Sequence, residues 1–247
     1  MLANIPEASK ATTPKKIRRP PPICIYCGKS ASTRDHVPPQ AIFVELRRPD
    51  LITVPSCETC NNEASRFDEG FRNIIGMRAS EGSPNSSVLL QKTLRSLKRK
   101  PRDRQAIWES LREVPIFTKG GLYIGHSTEA AFDAEAHDRT VERITRALYF
   151  HHFKKSLPGG SNIEVMFISD GANWQQSIAP FLAHMKMRNI GGPKVFEYAF
   201  AHATDEPDGS LWIYRFYERH LVATVTGSLA DQVLGHSSPT SASATES

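Results

Sequence analysis

The four cysteines of this 247-residue sequence form two CxxC pairs, and none is left over. Cys24 and Cys27 lie in CIYCG, and Cys57 and Cys60 lie in CETC. A CxxC turn points two thiolates at one centre, and two such turns supply the tetrahedral sulfur cage that zinc prefers, at about 2.3 Å per bond. Disulfides or a dithiol redox site are the alternatives, but neither pair lies in a thioredoxin-like βαβ pattern, which favours zinc. Four sulfur ligands leave no open coordination position, so the predicted zinc is structural.

Between the cysteine pairs lies the stretch DHVPP, which begins at Asp35, and Asn61 follows the second pair directly. This arrangement, over about residues 24–75, resembles the zinc-stabilised branch of the HNH nucleases in the ββα-metal (His-metal finger) superfamily. The family pattern is CxxC, then DH with an apolar residue and Pro, then Asn-Leu ahead of a strand, then CxxC followed by His or Asn. The resemblance implies that Asp35 and Asn61 bind a divalent catalytic metal ion. It also implies that His36 is the general base that takes a proton from water.

These residue types suit the hydrolysis of a phosphodiester bond. An imidazole with a pKa near 6.5 accepts a proton at neutral pH. A carboxylate and an amide oxygen suit Mg²⁺ or Mn²⁺, with waters and phosphate oxygens as the other ligands. Adjacent residues on a strand point to opposite faces, so Asp35 binds the metal while His36 approaches the phosphate from another side. Asn61 lies at a helix start, where unpaired N–H groups attract phosphate.

Two positions differ from the family pattern. Asp50 lies near the position of the family's middle Asn, which braces the loop that carries the base, and we retain Asp50 as a catalytic-site residue. Ala64 lies where the family often has Lys, although Arg66 is close by. Asp68 follows Asn61 at near-helical spacing, and we interpret it as part of a solvated helix face rather than as an outer partner of the metal.

Three functions remain open from the sequence. The first is a metal-dependent endonuclease that acts on nucleic acid, with DNA favoured, and the intact Asp35-His36 pair supports it. The second is a zinc-dependent nucleic-acid-binding protein whose HNH site is degenerate and inactive, which the differences at Asp50 and Ala64 favour. The third is a protein-interaction module in which zinc only holds the fold. Absence of the basic residues from the face of the folded site would favour this third function.

Basic residues are concentrated beside the candidate site. The net charge of +5 suits a polyanionic partner. The run KTLRSLKRKPRDR contains a single acidic residue among its many cations. We predict that Lys98, Arg99, Lys100 and Arg66 contact phosphate; the alternative is a solvated helix face.

The sequence predicts a cytoplasmic protein without a membrane partner. No apolar run approaches the roughly 20 residues that span a bilayer. The N-terminal segment has no apolar core of the kind found in secretory signals.

The expected fold class is α+β. A small zinc-clamped ββα-metal module over residues 23–80 precedes a larger mixed domain over residues 81–228, which ends in an antiparallel sheet. A basic arm at 1–22 and a tail at 229–247 are predicted to be disordered. Helices are predicted from Asn61, over SVLLQKTLRSLKRK, over RDRQAIWESLRE with Pro115 ending it, over about residues 135–155, and over NWQQSIAPFLAHM. Strands are predicted in a hairpin over IFTKGGLYIGHS, and over IEVMFIS, KVFEYAFAHA and SLWIYRFYERHLVATVTG.

Overall fold

The computed structural model describes residues 22–44, 51–78, 84–118, 120–131, 133–168, 185–192 and 194–228. The described residues form a mixed α+β fold with an antiparallel five-stranded sheet toward the C-terminus, which confirms the predicted fold class. The predicted disordered arm and tail and the helix over NWQQSIAPFLAHM lie almost entirely outside these residues. None of the helices in the described ranges is both long and apolar enough to cross a membrane.

The described residues form four α-helices and nine β-strands. They are β1 Thr33–Val37, β2 Ile52–Ser56, α1 Glu58–Arg78, α2 Pro84–Arg99, α3 Pro101–Ser110, β3 Arg112–Phe117, β4 Tyr123–Glu129, α4 Ala134–Phe153, β5 Ile163–Ile168, β6 Arg188–Ile190, β7 Phe196–His202, β8 Ser210–Phe216 and β9 His220–Thr226.

The first three elements form a ββα unit. Strand β1 pairs antiparallel with β2, with Asp35 opposite Val54 and His36 opposite Thr53. Helix α1 begins at Glu58, directly after β2, which confirms the helix predicted at the second CxxC pair. The order strand, strand, helix therefore matches the ββα arrangement expected for residues 23–80.

A large sheet and helix α4 form the other half of the structure. The sheet has the strand order β5-β9-β8-β7-β6, and every neighbouring pair is antiparallel. The aromatic side chains of Trp212, Tyr214 and Phe216 on β8 are fully buried, so this strand belongs to the core rather than to an exposed stacking surface.

One hydrophobic core joins the ββα unit to the sheet. Val37, Val54 and Phe71 of the ββα unit pack in the same cluster as Ile144 of α4 and Phe216 of the sheet. The predicted module boundary near residue 80 falls at residues 79–83, outside the described ranges, so that division stays a prediction.

Helices α1 and α4 approach each other closely at a glycine. A Cβ atom added at Gly70 would lie 2.8 Å from the Cβ atom of Ala136, which is shorter than real carbon contacts allow. Glycine at this position lets the two helix backbones come together. The contact places the following turns of α4 beside β1 and α1.

Two local predictions were wrong. The run SLWIYRFYERHLVATVTG forms two strands, β8 and β9, because the chain reverses where Tyr217 and Glu218 take left-handed φ values of 47° and 61°. Pro115 does not end a helix: α3 ends at Ser110, and Pro115 lies within β3. The hairpin predicted around Gly120 and Gly121 is confirmed by the pairing of β3 with β4.

A pair of buried histidines links α4 to the sheet. His137 Nε2 lies 2.9 Å from His220 Nε2, and His137 Nδ1 lies 2.7 Å from Asp138 Oδ1. If His137 donates to Asp138, it accepts from His220, and the Nδ1 atom of His220 is then an acceptor without a partner in the described residues. Burial first, and then His137 and Arg78, lower the pKa of His220 to about 2. Burial also lowers the pKa of His137, which Asp138 only partly offsets.

Because both histidines bind protons more weakly in the folded state, we expect acid to destabilise the protein. Their contribution to the free energy of unfolding is complete above a pH of about 6.5, the ordinary histidine pKa. It falls as the pH drops toward 2. Between pH 7 and pH 5, His220 alone is expected to reduce the free energy of unfolding by about 2 kcal/mol. Denaturant unfolding across this range should show a shallower pH dependence in His220→Gln than in the wild type.

The exposed His126 of β4 offers the matched control, since His126→Gln should keep the wild-type slope. The difference in pH dependence between His220→Gln and His126→Gln separates the effect of the histidine pair from that of other groups that titrate between pH 7 and pH 5. Equal slopes in the wild type and His220→Gln would contradict the prediction.

Candidate functional site

The four cysteines converge on one point. Their Sγ atoms all lie within 4.8 Å of one another, and those of Cys27 and Cys57 are 3.6 Å apart. A tetrahedral site with bonds of about 2.3 Å has its sulfurs about 3.8 Å apart. The cluster is therefore close enough to hold one metal ion, as the spacing predicted.

A tight turn positions the first cysteine pair. The N–H group of Gly28 donates to the carbonyl of Cys24 at 2.9 Å, and the N–H group of Cys24 donates to the carbonyl of Lys29 at 2.7 Å. Gly28 has φ of 73°, a conformation in which a side chain is strained. Burial raises the pKa of Cys24, but backbone N–H groups led by that of Cys57 outweigh this effect and lower it to about 6. The turn thus favours the thiolate, which is the metal-binding form.

The second pair is presented by the start of α1. Cys57 lies just before the helix, and Cys60 lies in its first turn. The N–H group of Cys60 donates to the Sγ atom of Cys57 at 3.4 Å. Because β1 and β2 lie between the two pairs in sequence, the cluster closes the ends of the strand pair that carries Asp35 and His36.

Asp35 is held by two side chains from outside its own strand. The Tyr26 hydroxyl donates to Asp35 Oδ2 at 2.6 Å, and Arg143 Nη2 of α4 donates to the same oxygen at 2.5 Å. The Arg143 guanidinium also lies 4.0 Å from the centre of the Tyr26 ring, in a cation–π contact. Among the described residues, no hydrogen bond reaches the other oxygen, Oδ1. The carboxylate is therefore fixed in orientation with one oxygen free.

Asp35 and His36 both line a small cavity between β1, α1 and α4. Polar and apolar side chains share its wall, and the full set is Asp35, His36, Val37, Pro39, Asp68, Thr140, Arg143 and Ile144. Its volume of about 10 Å³ is roughly that needed by one water molecule. His36 is half-buried and has no hydrogen-bond partner within the described ranges.

Asp68 was wrongly interpreted as part of a solvated helix face. It is half-buried on α1, in a stripe whose other members, Ala64, Phe71 and Ile75, are buried. Burial and then the negative charge of Asp35 raise the pKa of Asp68 to about 7, and Arg143 offsets this only in part. The polar residue within an otherwise buried stripe was the sequence signal for this position.

The other predicted site residues have different positions. Asn61 is in the first turn of α1, where its N–H group donates to the carbonyl of Cys57 at 3.0 Å and its carbonyl accepts from the Ser65 hydroxyl at 3.2 Å. Asn61 is not among the residues that line the cavity. Its role as a metal ligand stays a prediction, and Asp50 lies outside the described residues.

The basic residues predicted to contact phosphate lie in two different places. Arg66 and Lys100 line a groove of about 440 Å³ between α1, α3 and the start of α4. Lys100 forms an ion pair with Glu69 of α1, whereas Lys98 and Arg99 are exposed and have no ion-pair partner in the described part of the chain. On α1, Arg66 and Asp68 point about 160° apart around the helix axis. The groove and the cavity therefore lie on different sides of α1.

Tyr26, Thr140 and Arg143 were not predicted from the sequence. Arg143 and Thr140 lie one turn apart on α4, in line with the buried Ala136 and Ala147. As with Asp68, a polar residue in a buried stripe was the available signal. Their partner on β1 could not be identified without the fold, because Arg143 is 108 residues from Asp35 in sequence.

No family model, curated protein or solved structure matches this chain in the three comparisons with known proteins. The function must therefore be argued from the geometry. Within the described residues, the arrangement combines a cysteine cluster close enough to hold a metal ion, an imidazole without a partner, and a carboxylate with one free oxygen beside a guanidinium.

Proposed function

We propose that this protein is a metal-dependent endonuclease of HNH type that hydrolyses phosphodiester bonds in nucleic acid, with DNA as the favoured substrate. The observation that carries the proposal is the position of Asp35 and His36. They lie on the first strand of a ββα unit whose ends meet at the cysteine cluster, and both line one cavity.

In this proposal the ion held by Cys24, Cys27, Cys57 and Cys60 is zinc, and its role is structural. Four thiolates are the donor set that zinc prefers, and they leave no position for a substrate. The ion would fix the ends of the strand pair and thereby the position of β1 relative to α1.

The catalytic ion would be Mg²⁺ or Mn²⁺, with Asp35 as a ligand. Carboxylate and hydroxyl oxygens are the donors these hard cations prefer, and the cavity offers both together with a free Asp35 oxygen. Such an ion, when bound, stabilises negative charge on the phosphate and the leaving oxygen.

The proposed chemistry uses His36 as a general base. Its imidazole accepts a proton from the attacking water, and the resulting hydroxide attacks the phosphorus atom. The bond from phosphorus to the leaving ester oxygen breaks, and the leaving alkoxide takes a proton from solvent. Asp35 is oriented for its role by Tyr26 and Arg143, which bind one oxygen and leave the other free. Arg143 also contributes positive charge beside the place where the phosphate would gain negative charge.

A second function is favoured by the Asp35–Arg143 ion pair. Arg143 neutralises Asp35 without any metal, which suits a zinc-dependent nucleic-acid-binding protein with an inactive site. In that case the exposed Lys98 and Arg99 would contribute salt-dependent binding without cleavage.

Cleavage of plasmid and single-stranded DNA in the presence of Mg²⁺ or Mn²⁺ separates the two functions. We expect His36→Ala to lower the cleavage rate about 100-fold or more, because it removes the general base. The exposed His126 offers a matched control, and His126→Ala should cleave at the wild-type rate.

Three outcomes contradict the nuclease proposal in different ways. Cleavage that persists unchanged in His36→Ala would place the activity at another site or in a contaminant. Salt-dependent DNA binding without cleavage by the wild type would select the second function. Neither binding nor cleavage would favour a protein-interaction module.

A further inference from the structure

The cavity between β1, α1 and α4 contains a buried hydroxyl without a partner. Thr140 is 1 % exposed, and its Oγ1 atom has no hydrogen-bond partner among the described residues. A buried polar atom without a hydrogen bond destabilises the fold, and a bound water molecule or ion removes that cost. Since Thr140 lines the cavity, its hydroxyl is available to whatever occupies that space.

The carboxylate of Asp68 lines the same space and is also without a hydrogen bond in the described ranges. Opposite it, Asp35 keeps one oxygen free, because Tyr26 and Arg143 both bind the other oxygen. Three oxygen donors from three different elements, β1, α1 and α4, therefore surround one small cavity.

The charges around this cavity do not balance when Asp68 is ionised. When both are ionised, Asp35 and Asp68 carry two negative charges, and Arg143 supplies one positive charge. A small cation would supply the missing positive charge and give the Thr140 hydroxyl and the free carboxylate oxygens a partner. The volume of about 10 Å³ leaves room for one such ion but not for an organic ligand.

We propose that this cavity binds one divalent cation, Mg²⁺ or Mn²⁺, with Asp68 and Thr140 as ligands beside Asp35. Asp68 then takes the place that sequence analysis gave to Asn61, which does not line the cavity. Tyr26 and Arg143 act as the outer partners that hold Asp35 in position for the ion. The catalytic meaning of this site rests on the proposed nuclease function, but the binding of the ion does not.

Binding of Mn²⁺ to the full-length, zinc-loaded protein tests the site without any cleavage assay. Electron paramagnetic resonance of free Mn²⁺ or titration calorimetry should find one bound Mn²⁺ per chain. Asp68→Asn keeps the shape of the side chain but removes its charge, and we expect a rise in Kd of at least about tenfold. Thr140→Val removes only the hydroxyl and should weaken binding by a smaller factor.

Two further variants make the test specific. Glu63→Gln changes an exposed acid on the same helix and should bind Mn²⁺ as the wild type does. Asn61→Ala should also leave the Kd unchanged. Thr140→Val buries no unsatisfied group, so we expect it to fold at least as well as the wild type, and thermal unfolding of each variant checks this.

The proposal is overturned if the wild type binds no Mn²⁺, if Asp68→Asn binds it normally, or if only Asn61→Ala loses it. The outcomes for the nuclease are separate. Mn²⁺ binding that depends on Asp68, without DNA cleavage by the wild type, supports the cation site and contradicts the nuclease. Cleavage that needs His36, with unaltered Mn²⁺ binding in Asp68→Asn, supports the nuclease and contradicts the cation site.

Discussion

If the cysteine cluster holds zinc as we propose, Cys57→Ser is expected to release the ion and to destabilise the protein severely. Structural zinc contributes about 10–16 kcal/mol in small zinc-binding peptides, which is comparable with the whole stability of an ordinary domain. The residues packed directly around the sulfurs are few: Cys24, Cys57 and Ala31 are buried there, with Tyr26 and Cys60 partly buried against them. Such a small cluster cannot replace the bonds to the ion.

The loss should extend from the cluster to the candidate site. The turn at Cys24 carries Tyr26, and the Tyr26 hydroxyl donates to Asp35. We therefore expect Cys57→Ser to lose about one zinc per chain by metal analysis and to unfold at a much lower temperature. It should also lose any DNA cleavage.

A substitution that adds a hydroxyl near the sulfurs without removing a ligand provides the control. Ala31 is buried in the same cluster, so Ala31→Ser tests the effect of a small polar change there. It should retain the ion and cost far less stability than Cys57→Ser. A wild-type protein that is well folded without metal under reducing conditions would contradict the structural role of zinc.

The cysteine cluster and the start of α1 could be predicted because their signals are local, whereas β1 and β2 were expected from the resemblance to the HNH nucleases. CxxC spacing fixes a turn that points two sulfurs the same way. A four-sulfur site then requires only that two such turns come together. The start of α1 after Cys57 and the hairpin at Gly120 and Gly121 follow from periodicity and turn residues over a few positions. In these segments the local sequence and the fold require the same conformation.

The hairpin of β8 and β9 shows why other elements were not predicted. Its turn places Tyr217 and Glu218 in the left-handed region, which glycine or asparagine would ordinarily occupy. Distant contacts stabilise it instead. The Tyr217 hydroxyl donates to the carbonyl of Ile42 at 2.7 Å, and the Tyr217 N–H group donates to the carbonyl of Val195 at 2.9 Å. No window of local sequence contains these partners.

Which residues form the candidate site also depends on contacts between distant parts of the chain. Asp68, Thr140 and Arg143 each lie in a buried helical stripe, and the stripe alone predicts only that something polar is buried there. Which groups meet depends on the packing of α4 against α1 at Gly70 and Ala136. The sequence therefore predicted helix α4 itself, over about residues 135–155, but not its packing against β1 and α1, which completes the cavity.

Arg143→Met is expected to destabilise the protein by about 3–5 kcal/mol, because it leaves Asp35 buried without its counter-charge. The two side chains are only 18 % and 14 % exposed, so solvent screens the ion pair weakly. The substitution also removes the cation–π contact with Tyr26 and leaves two carboxylates, those of Asp35 and Asp68, facing one cavity. Denaturant unfolding at pH 7 measures the loss.

Arg139 lies one turn before Arg143 on α4 and offers the matched control. Its ion pair with Glu142 is 4.0 Å long and largely exposed, so Arg139→Met should cost less than about 1 kcal/mol. The double variant Arg143→Met/Asp35→Asn should regain much of the stability lost in Arg143→Met, because the unpaired charge is gone with its partner. If the double variant is no more stable than Arg143→Met, the loss comes from packing of the arginine side chain, and the ion pair does not hold α4 against β1.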